Sequence, residues 1–502
     1  MPEKSIIIIG AGIAGLSAGC YAQMNGFRTQ IFELHKLPGG LCTAWERKDY
    51  VFDGCIHYLL GSGEGQPYNQ VWQELGAVQA REMIDHAEFM RLTGPDGRTL
   101  IVYSDPDELE AHMLSLSPAD EGLIRSFAQG IRQFKGFDMS LLQQKPRSLM
   151  GLGDWMALGM KMMPFLQPTL RWGLVSAADL GKRFEDPLLQ RAIPHVFGWP
   201  EIPMMAGISL LASMSTGNAG FPAGASLEFA RAIEQRYLEL GGEIHYNAQV
   251  EKILVEDDRA VGVRKYNDEI HRADFVISAS DGRGTIFDML DGEFTNQKIR
   301  RLYDGHMTLH SQVQISLGVD RDLSAEPHWV TYLLDEPILL AGEEHYEIGV
   351  KHYCFDPSLA PQGKSSLIIM LRSKYAYWQR IYGRKLYDTE QDQVSDILID
   401  FLEKIYPGIH QDIEVIDEAT PLSYERYTGN WEGSSCGWLL TKQTMPMMIL
   451  GINKTLPGLK NFYMTGQWVE PGGMVPIVAM SGRNVIQLLC HAEGKPFETS
   501  LT

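Results

Sequence analysis

The chain has 502 residues, of which 44% are hydrophobic and 21% charged, and its formal net charge at pH 7 is −19. This length predicts one to three domains with a large core, and the acidic balance argues against nucleic acid as a partner. The six cysteines include no C-x-x-C pair, so we expect no disulfide framework or metal site and favour a reducing, cytoplasmic location.

The first element in the chain is a glycine-rich turn after an apolar run. Residues 5–9 read SIIII, which is typical of a buried parallel strand. Gly10, Gly12 and Gly15 then open a helix whose free N–H groups suit a diphosphate, and Glu33 follows a second apolar run where a carboxylate accepts ribose hydroxyls. Together these features predict a dinucleotide-binding unit.

The next segments alternate between short strands and helices. Residues 50–53 predict a short strand, and residues 86–104 a hairpin that turns at Gly-Pro-Asp-Gly. From 105 to 215 the pattern is mainly helical. A helix is expected over 226–240 and a strand pair over 243–257.

The remaining strands divide into two kinds. ADFVISAS at 273–280 predicts another buried strand, whereas alternating runs between 300 and 455 predict an antiparallel sheet. Residues 462–465 predict a last strand, and a helix from Val475 carries a small Ser-Gly pair that permits close packing.

These elements predict an α/β fold with two discontinuous domains. A Rossmann-type nucleotide-binding domain would comprise residues 1–75, 222–295 and 455–502. A mixed α+β substrate domain, with the antiparallel sheet and a helical insert, would comprise 76–221 and 296–454.

Several motifs resemble the phytoene desaturase, carotenoid isomerase and retinol saturase family of amine-oxidase-like flavoproteins. They are GAGIAGLSAG with Glu33, PGGLC at 38–42, FDGCIH at 52–57, the segment 221–263, PLSYERYTGNWEGSSCGW at 421–438 and YMTGQWVEPGGMVPIVAMSGR at 463–483. The resemblance covers most of the chain and implies FAD as the cofactor, bound in the Rossmann-type domain.

The resemblance also implies which residues hold the FAD. Those near the pyrophosphate, ribose, adenine and flavin would be Gly10, Gly12, Ala14, Gly15, Glu33, Gly39, Gly40, Leu41, Val250, Gly466, Gly473, Met474 and Val475. Two of them depart from the family pattern: Leu41 stands where many relatives have arginine, and Met474 where a third glycine is usual.

The activity implied by the resemblance is hydride transfer between the flavin N5 and an allylic carbon of an apolar polyene or isoprenoid. Desaturation, saturation and isomerisation all remain open, and a separate electron donor or acceptor is expected. The candidate catalytic residues are His57, Tyr424 and Arg426, with Glu425 and Tyr427 beside them. His195 and Trp199 are expected to line the pocket.

Residues 141–175 differ in character from the rest of the chain. They are rich in Met, Leu and Trp, and four basic residues oppose one acidic residue. This composition predicts a lid or a segment lying on an anionic membrane as a peripheral contact. The alternative is an ordinary buried helical hairpin.

Two other functions remain open at this point. A flavin amine oxidase or an enone reductase would act on a smaller substrate, although the methionine-rich insert argues against an amine. A prenyl- or lipid-binding carrier of the same fold would perform no redox chemistry, although the intact glycine fingerprint argues for a retained cofactor.

Overall fold

A computed structural model describes residues 4–501. In this range the α-helices, labelled α1 to α17 in chain order, are Ile13–Met24, Pro67–Glu74, Pro106–Leu116, Glu121–Phe134, Leu152–Met162, Leu166–Trp172, Ala177–Gly181, Pro187–Ala192, Met204–Met214, Ala225–Glu239, Gln297–Leu302, Tyr375–Gly383, Tyr387–Ile405, Ile409–Asp412, Pro421–Thr428, Met445–Leu450 and Val475–Ala492. The strands, labelled β1 to β20, are Ser5–Ile9, Arg28–Phe32, Ala44–Arg47, Tyr50–Asp53, Leu59–Leu60, Met83–Ile84, Glu88–Thr93, Thr99–Tyr103, Ala219–Pro222, Glu243–His245, Val250–Glu256, Arg259–Lys265, Ile270–Arg272, Phe275–Ser278, Gln312–Val319, Trp329–Leu340, Glu343–His352, Ser365–Arg372, Ile413–Ala419 and Phe462–Met464.

The amino-terminal strand lies in the centre of a five-stranded parallel sheet of order β10-β2-β1-β14-β20. Its isoleucines are buried on both faces. Ile6 and Ile8 pack with α1 and α17, whereas Ile7 and Ile9 pack with residues of β11 and β12. Burial on both sides explains the unbroken apolar run, and the predicted Rossmann-type core is confirmed.

The last helix returns to the first one at very short range. A Cβ at Gly482 would lie 2.4 Å from the carbonyl oxygen of Ala14, so this position admits only glycine. Ser17 Oγ donates to the carbonyl of Ala479 across the same contact at 2.6 Å. The predicted close packing of α17 is therefore present, and it brings residues 466–475 to the start of α1.

The second large sheet has seven strands in the order β19-β15-β18-β17-β16-β7-β8. Its neighbours are antiparallel except for β16 and β7, which run parallel. The predicted hairpin over 86–104 supplies β7 and β8, which form one edge of this sheet.

The two strands predicted over 243–257 are present, but their predicted pairing with each other is wrong. β10 joins the parallel sheet beside β2, whereas β11 pairs with β12 in a separate small sheet.

The two-domain division stays a prediction. The five parallel strands all fall inside 1–75, 222–295 and 455–502.

The segment 141–175 contains α5 and α6, which expose apolar side chains. α5 buries none of its residues, so an ordinary buried hairpin does not describe it. The exposed apolar side chains of the two helices and their flanks are Leu152, Trp155, Met156, Met160, Met163, Leu166, Leu170 and Leu174. We call these eight side chains the apolar face.

Candidate active site

The turn after β1 contains two glycines that the protein backbone itself requires. Gly10 has φ +99°, and a Cβ there would lie 3.2 Å from the carbonyl oxygen of Ala279. A Cβ at Gly15 would lie 1.9 Å from the carbonyl oxygen of Gly10. These contacts hold α1 directly against the end of β1.

Gly12 has no comparable structural reason to be glycine. Its φ is −66°, and the nearest atom to an added Cβ is the Gly39 carbonyl oxygen at 3.8 Å. Gly12 is also the N-cap of α1 and has no side chain, so it does not cap the first amides of the helix. An anionic diphosphate fits this cradle, because it would receive these N–H groups and the positive end of the helix dipole.

Glu33 lies at the expected place beside this cradle. Its Oε2 accepts the N–H of Ala11 at 2.6 Å, and its Oε1 accepts the N–H of His35 at 2.8 Å. Burial raises the pKa of Glu33, and these two N–H bonds oppose the shift. A carboxylate has about four acceptor positions, so two remain for ribose hydroxyls.

Val250, the predicted adenine contact, is held near Glu33 by backbone hydrogen bonds. The N–H of Ala248 donates to the Glu33 carbonyl at 2.8 Å, and that of Asn247 donates to the His35 carbonyl at 3.1 Å. These bonds place the start of β11, and so Val250, near Glu33. Gly39 and Gly40 lie across from Gly12 through a parallel bridge between Gly39 and Gly12.

Residues 466–475, which α17 brings back to the start of α1, lie at the other end of the glycine-rich turn. A Cβ at Gly466 would lie 3.2 Å from that of Ala14, and one at Gly473 would lie 2.4 Å from the Cys436 carbonyl oxygen. Met474 is the N-cap of α17 and again makes no side-chain capping bond. Two long helices thus present uncapped N-termini to one region.

A cavity of about 390 Å³ opens from this region; we call it the chamber. Four predicted flavin residues line it, namely Leu41, Gly473, Met474 and Val475. Its aromatic wall includes Phe89, Phe137, Phe197, Trp199 and Trp329, and His195 lines it as well. The chamber therefore connects the predicted cofactor residues with an aromatic wall.

One face of the seven-stranded sheet forms the far wall of the chamber. Alternate residues of β17 line it, because side chains two apart share a face of a strand. They are His345, Glu347, Gly349 and Lys351. Ile348 and Val350, between them, pack into the core on the other side of the sheet.

The predicted catalytic residues separate into two groups. His57 and Tyr424 line the chamber. Tyr424 accepts a hydrogen bond from Gln312 at 3.0 Å and donates to Gln314 at 3.2 Å, and burial raises its pKa to about 12. Arg426 is exposed on α15 and lies over the Tyr427 ring at 5.6 Å, so the structure does not bring it to the chamber.

Two ionisable residues near the chamber are absent from the sequence predictions. Asp53 is buried and accepts the N–H of Cys55 and both the N–H and Oγ–H of Ser226 at 2.7–2.8 Å. Burial raises its pKa to about 6. Lys351 is buried in the chamber wall. Asp53 lies in the FDGCIH motif, from which no catalytic acid was predicted, and only strand alternation could have pointed to Lys351.

Comparisons with known proteins agree with this geometry. Residues 8–75 match the model of an NAD(P)-binding Rossmann-like domain. The chain is 25% identical to a chloroplastic prolycopene isomerase of Daucus carota, with 96% of this chain and 79% of the relative covered. It is 24% identical to a lycopene-forming phytoene desaturase of Pseudescherichia vulneris, with 97% and 99% covered.

A solved structure extends the comparison to the fold. An oxidoreductase from Methanosarcina mazei aligns with a TM-score of 0.60 and 17% identity, over 96% of this chain and all of the other. The relationship that the motifs predict, to carotenoid isomerases and phytoene desaturases, is confirmed over nearly the whole chain.

Proposed function

We propose that this relative of carotenoid isomerases and desaturases is an FAD-dependent oxidoreductase acting on C–C or C=C bonds of an apolar polyene or isoprenoid. The observation that carries the proposal is the chamber. Leu41, Gly473 and Met474 line its proposed cofactor end, and aromatic side chains line much of the rest, beside the polar side chains of β17. A long apolar substrate would lie there with one bond against the flavin.

The cofactor is FAD, whose bound flavin supplies hydride exchange at N5. The start of α1 would hold the pyrophosphate through the amides that follow Gly12, and Glu33 would accept the adenosine ribose. The uncapped start of α17, at Met474 and Val475, would face the ring system. The starts of α1 and α17 would thus hold the cofactor at its pyrophosphate and at its ring system.

The chain's own part in the reaction is positioning and the exclusion of water. Polyene C–H groups are very weak acids, so alignment of the reacting carbon must supply most of the rate enhancement. The Tyr424 hydroxyl stays protonated at neutral pH and is held by Gln312 and Gln314. Tyr424 and His57 are the proton-handling groups that we assign to the chamber.

We also propose that the apolar face rests on an anionic membrane surface. Leu152, Leu170 and Leu174 expose 80%, 74% and 73% of their surface. Lys161 and Arg171 lie among them and are exposed, which suits anionic headgroups. Among residues 4–501, no helix combines the length and hydropathy that crossing a bilayer requires.

The test is anaerobic turnover of the purified protein. The protein should carry flavin absorbance, and flavin reduced in the protein should be reoxidised by a lycopene-type or retinoid polyene, or should isomerise it. A steroid enone and a simple diamine serve as controls for the rival enzymes. Reaction with the diamine alone would exclude the polyene proposal. Failure to take up FAD would leave only a carrier function.

A further inference from the structure

Lys351 is a buried amine without an acidic partner. It is 8% exposed and lines the chamber from β17. Its Nζ lies 3.8 Å from the centre of the Trp329 ring, which is directly opposite on β16. Among residues 4–501, no carboxylate lies within 4.0 Å of this Nζ. Burial lowers the pKa of Lys351 well below its usual range, and the charge of Asp53 opposes the shift.

His57 approaches the same tryptophan from another side. The two rings meet edge to face with 5.8 Å between their centres. His57 Nδ1 is buried and, within the described part of the chain, has no hydrogen-bond partner. Burial and the neighbouring Lys351 lower the pKa of His57 well below its usual range. Within residues 4–501, an imidazole and an amine thus share one aromatic ring, and His57 Nδ1 is unpaired beside it.

The nearby acid is committed elsewhere. Asp53 already accepts three hydrogen bonds, from Cys55 and Ser226. Its charge acts on Lys351 without direct contact and opposes the fall in the pKa of that amine. Leaving buried polar groups unpaired costs free energy. Two unpaired buried groups therefore indicate that a ligand or a water supplies their hydrogen bonds.

We propose that Lys351 and His57 form a polar subsite that binds a carbonyl oxygen at one end of the substrate, as an aldehyde or a carboxylate. The inference rests on the proposed function, because the subsite lies in the chamber assigned to the polyene. A carbonyl oxygen would accept N–H donors from both side chains, whereas a hydrocarbon end would leave both unpaired. The chamber therefore prefers an oxidised polyene to a pure hydrocarbon.

The two forms of the ligand differ in what Lys351 does. A carboxylate would draw a proton onto the amine and form an ion pair. An aldehyde carbon can be attacked by the uncharged amine, so that an N–C bond forms, water leaves and an imine results. No oxidant or reductant enters either step.

A water molecule is the structural alternative. Lys351, His57 and Trp329 also line a second cavity of about 20 Å³, which is large enough for one water. If that water were the only partner of the two side chains, the head group of a polyene would not affect binding.

The experiment compares head groups on one carbon skeleton. Dissociation constants of the holoenzyme are measured for retinal, retinoic acid and the corresponding methyl-ended hydrocarbon. We expect at least tenfold tighter binding of retinal and retinoic acid. Sodium cyanoborohydride should trap retinal on Lys351, located by peptide mass spectrometry, and retinoic acid should bind with proton uptake.

Variants assign the effect to the amine. Lys351→Met should abolish the preference, and Lys298→Met, at an exposed position on α11 outside the chamber lining, should keep it. Equal affinities for the three compounds in the wild type would overturn the inference, as would a preference that survives in Lys351→Met or an adduct on another lysine. If no polyene binds at all, the proposed function fails, which is a distinguishable result.

Discussion

Replacing Gly12 by alanine tests the cofactor cradle without disturbing the fold. The φ of −66° suits alanine, and the added methyl would lie 3.8 Å from its nearest protein atom, the Gly39 carbonyl oxygen. Alanine restricts the unfolded chain, which stabilises by about 0.4–1 kcal/mol, but it is a poorer N-cap than glycine by an amount of similar size. The free energy of unfolding of the apoprotein should therefore change by less than about 1 kcal/mol.

The same methyl would occupy the space that the diphosphate needs. Inserting a methyl into a filled contact costs about 1–3 kcal/mol, so the dissociation constant for FAD should rise roughly tenfold to a hundredfold. The assay is titration of apoprotein with FAD, followed by flavin fluorescence, together with denaturant unfolding without FAD. Gly122→Ala on α4, where an added Cβ meets nothing within 4 Å, is the matched control. Unchanged FAD affinity in Gly12→Ala would show that α1 does not hold the diphosphate.

Three further substitutions test the fold, the membrane contact and a buried acid. Gly15→Ala should destabilise the apoprotein by more than about 3 kcal/mol in denaturant unfolding, because its Cβ would lie 1.9 Å from the Gly10 carbonyl oxygen; near-wild-type stability would contradict the tight turn. Leu170→Glu should weaken sedimentation with anionic vesicles at least tenfold, since a leucine leaving water contributes about 1.5–3 kcal/mol, whereas Leu339→Glu, at a residue 70% exposed outside the apolar face, should not; equal effects would argue against that face. The raised pKa of Asp53, about 6, means that its stabilising contribution is complete below about pH 4 and lost as the pH rises through 6. The unfolding free energy of wild type relative to Asp53→Asn should fall by about 3 kcal/mol from pH 4 to 7, and a flat difference would refute the assignment.

The cofactor half of the molecule was predictable because its constraints are local. Gly15 is demanded by a contact with Gly10 in the same turn and Gly10 by its φ of +99°, and the apolar run before them is a strand buried on both faces. The return of α17 was also predictable, since Gly482 marks a close approach. Each of these features depends on residues near in sequence or on a small residue that a motif displays.

The strand pairing of residues 243–257 could not be obtained in this way. Two short apolar runs joined by a few polar residues suggest a hairpin, yet β10 adds to β2 and β11 begins another sheet. The decision depends on hydrogen-bonding partners far away in the chain. β2 offers an open edge to β10, and β12 competes for β11.

The chamber wall was hidden for a different reason. In β17, polar residues alternate with Ile348 and Val350, and such alternation ordinarily indicates one face toward solvent. Here that polar face lines the chamber, which residues of α9 also line, so Lys351 is buried. Sequence alternation reports that two faces differ, but not whether the polar one meets water or a ligand.

The apolar face and the chamber are connected through one aromatic cluster. Phe165, in the turn between α5 and α6, packs against Phe137 at 5.2 Å and Phe134 at 5.9 Å between ring centres. Phe137 in turn lines the chamber. Moving a polyene from a bilayer through water would cost about 0.8 kcal/mol for every CH₂ group exposed. For a long chain this cost exceeds any binding energy lost while the substrate enters the chamber. If the proposed membrane contact is made, a passage past Phe165 and Phe137 would avoid that cost, because the same aromatic cluster touches the apolar segment and lines the chamber.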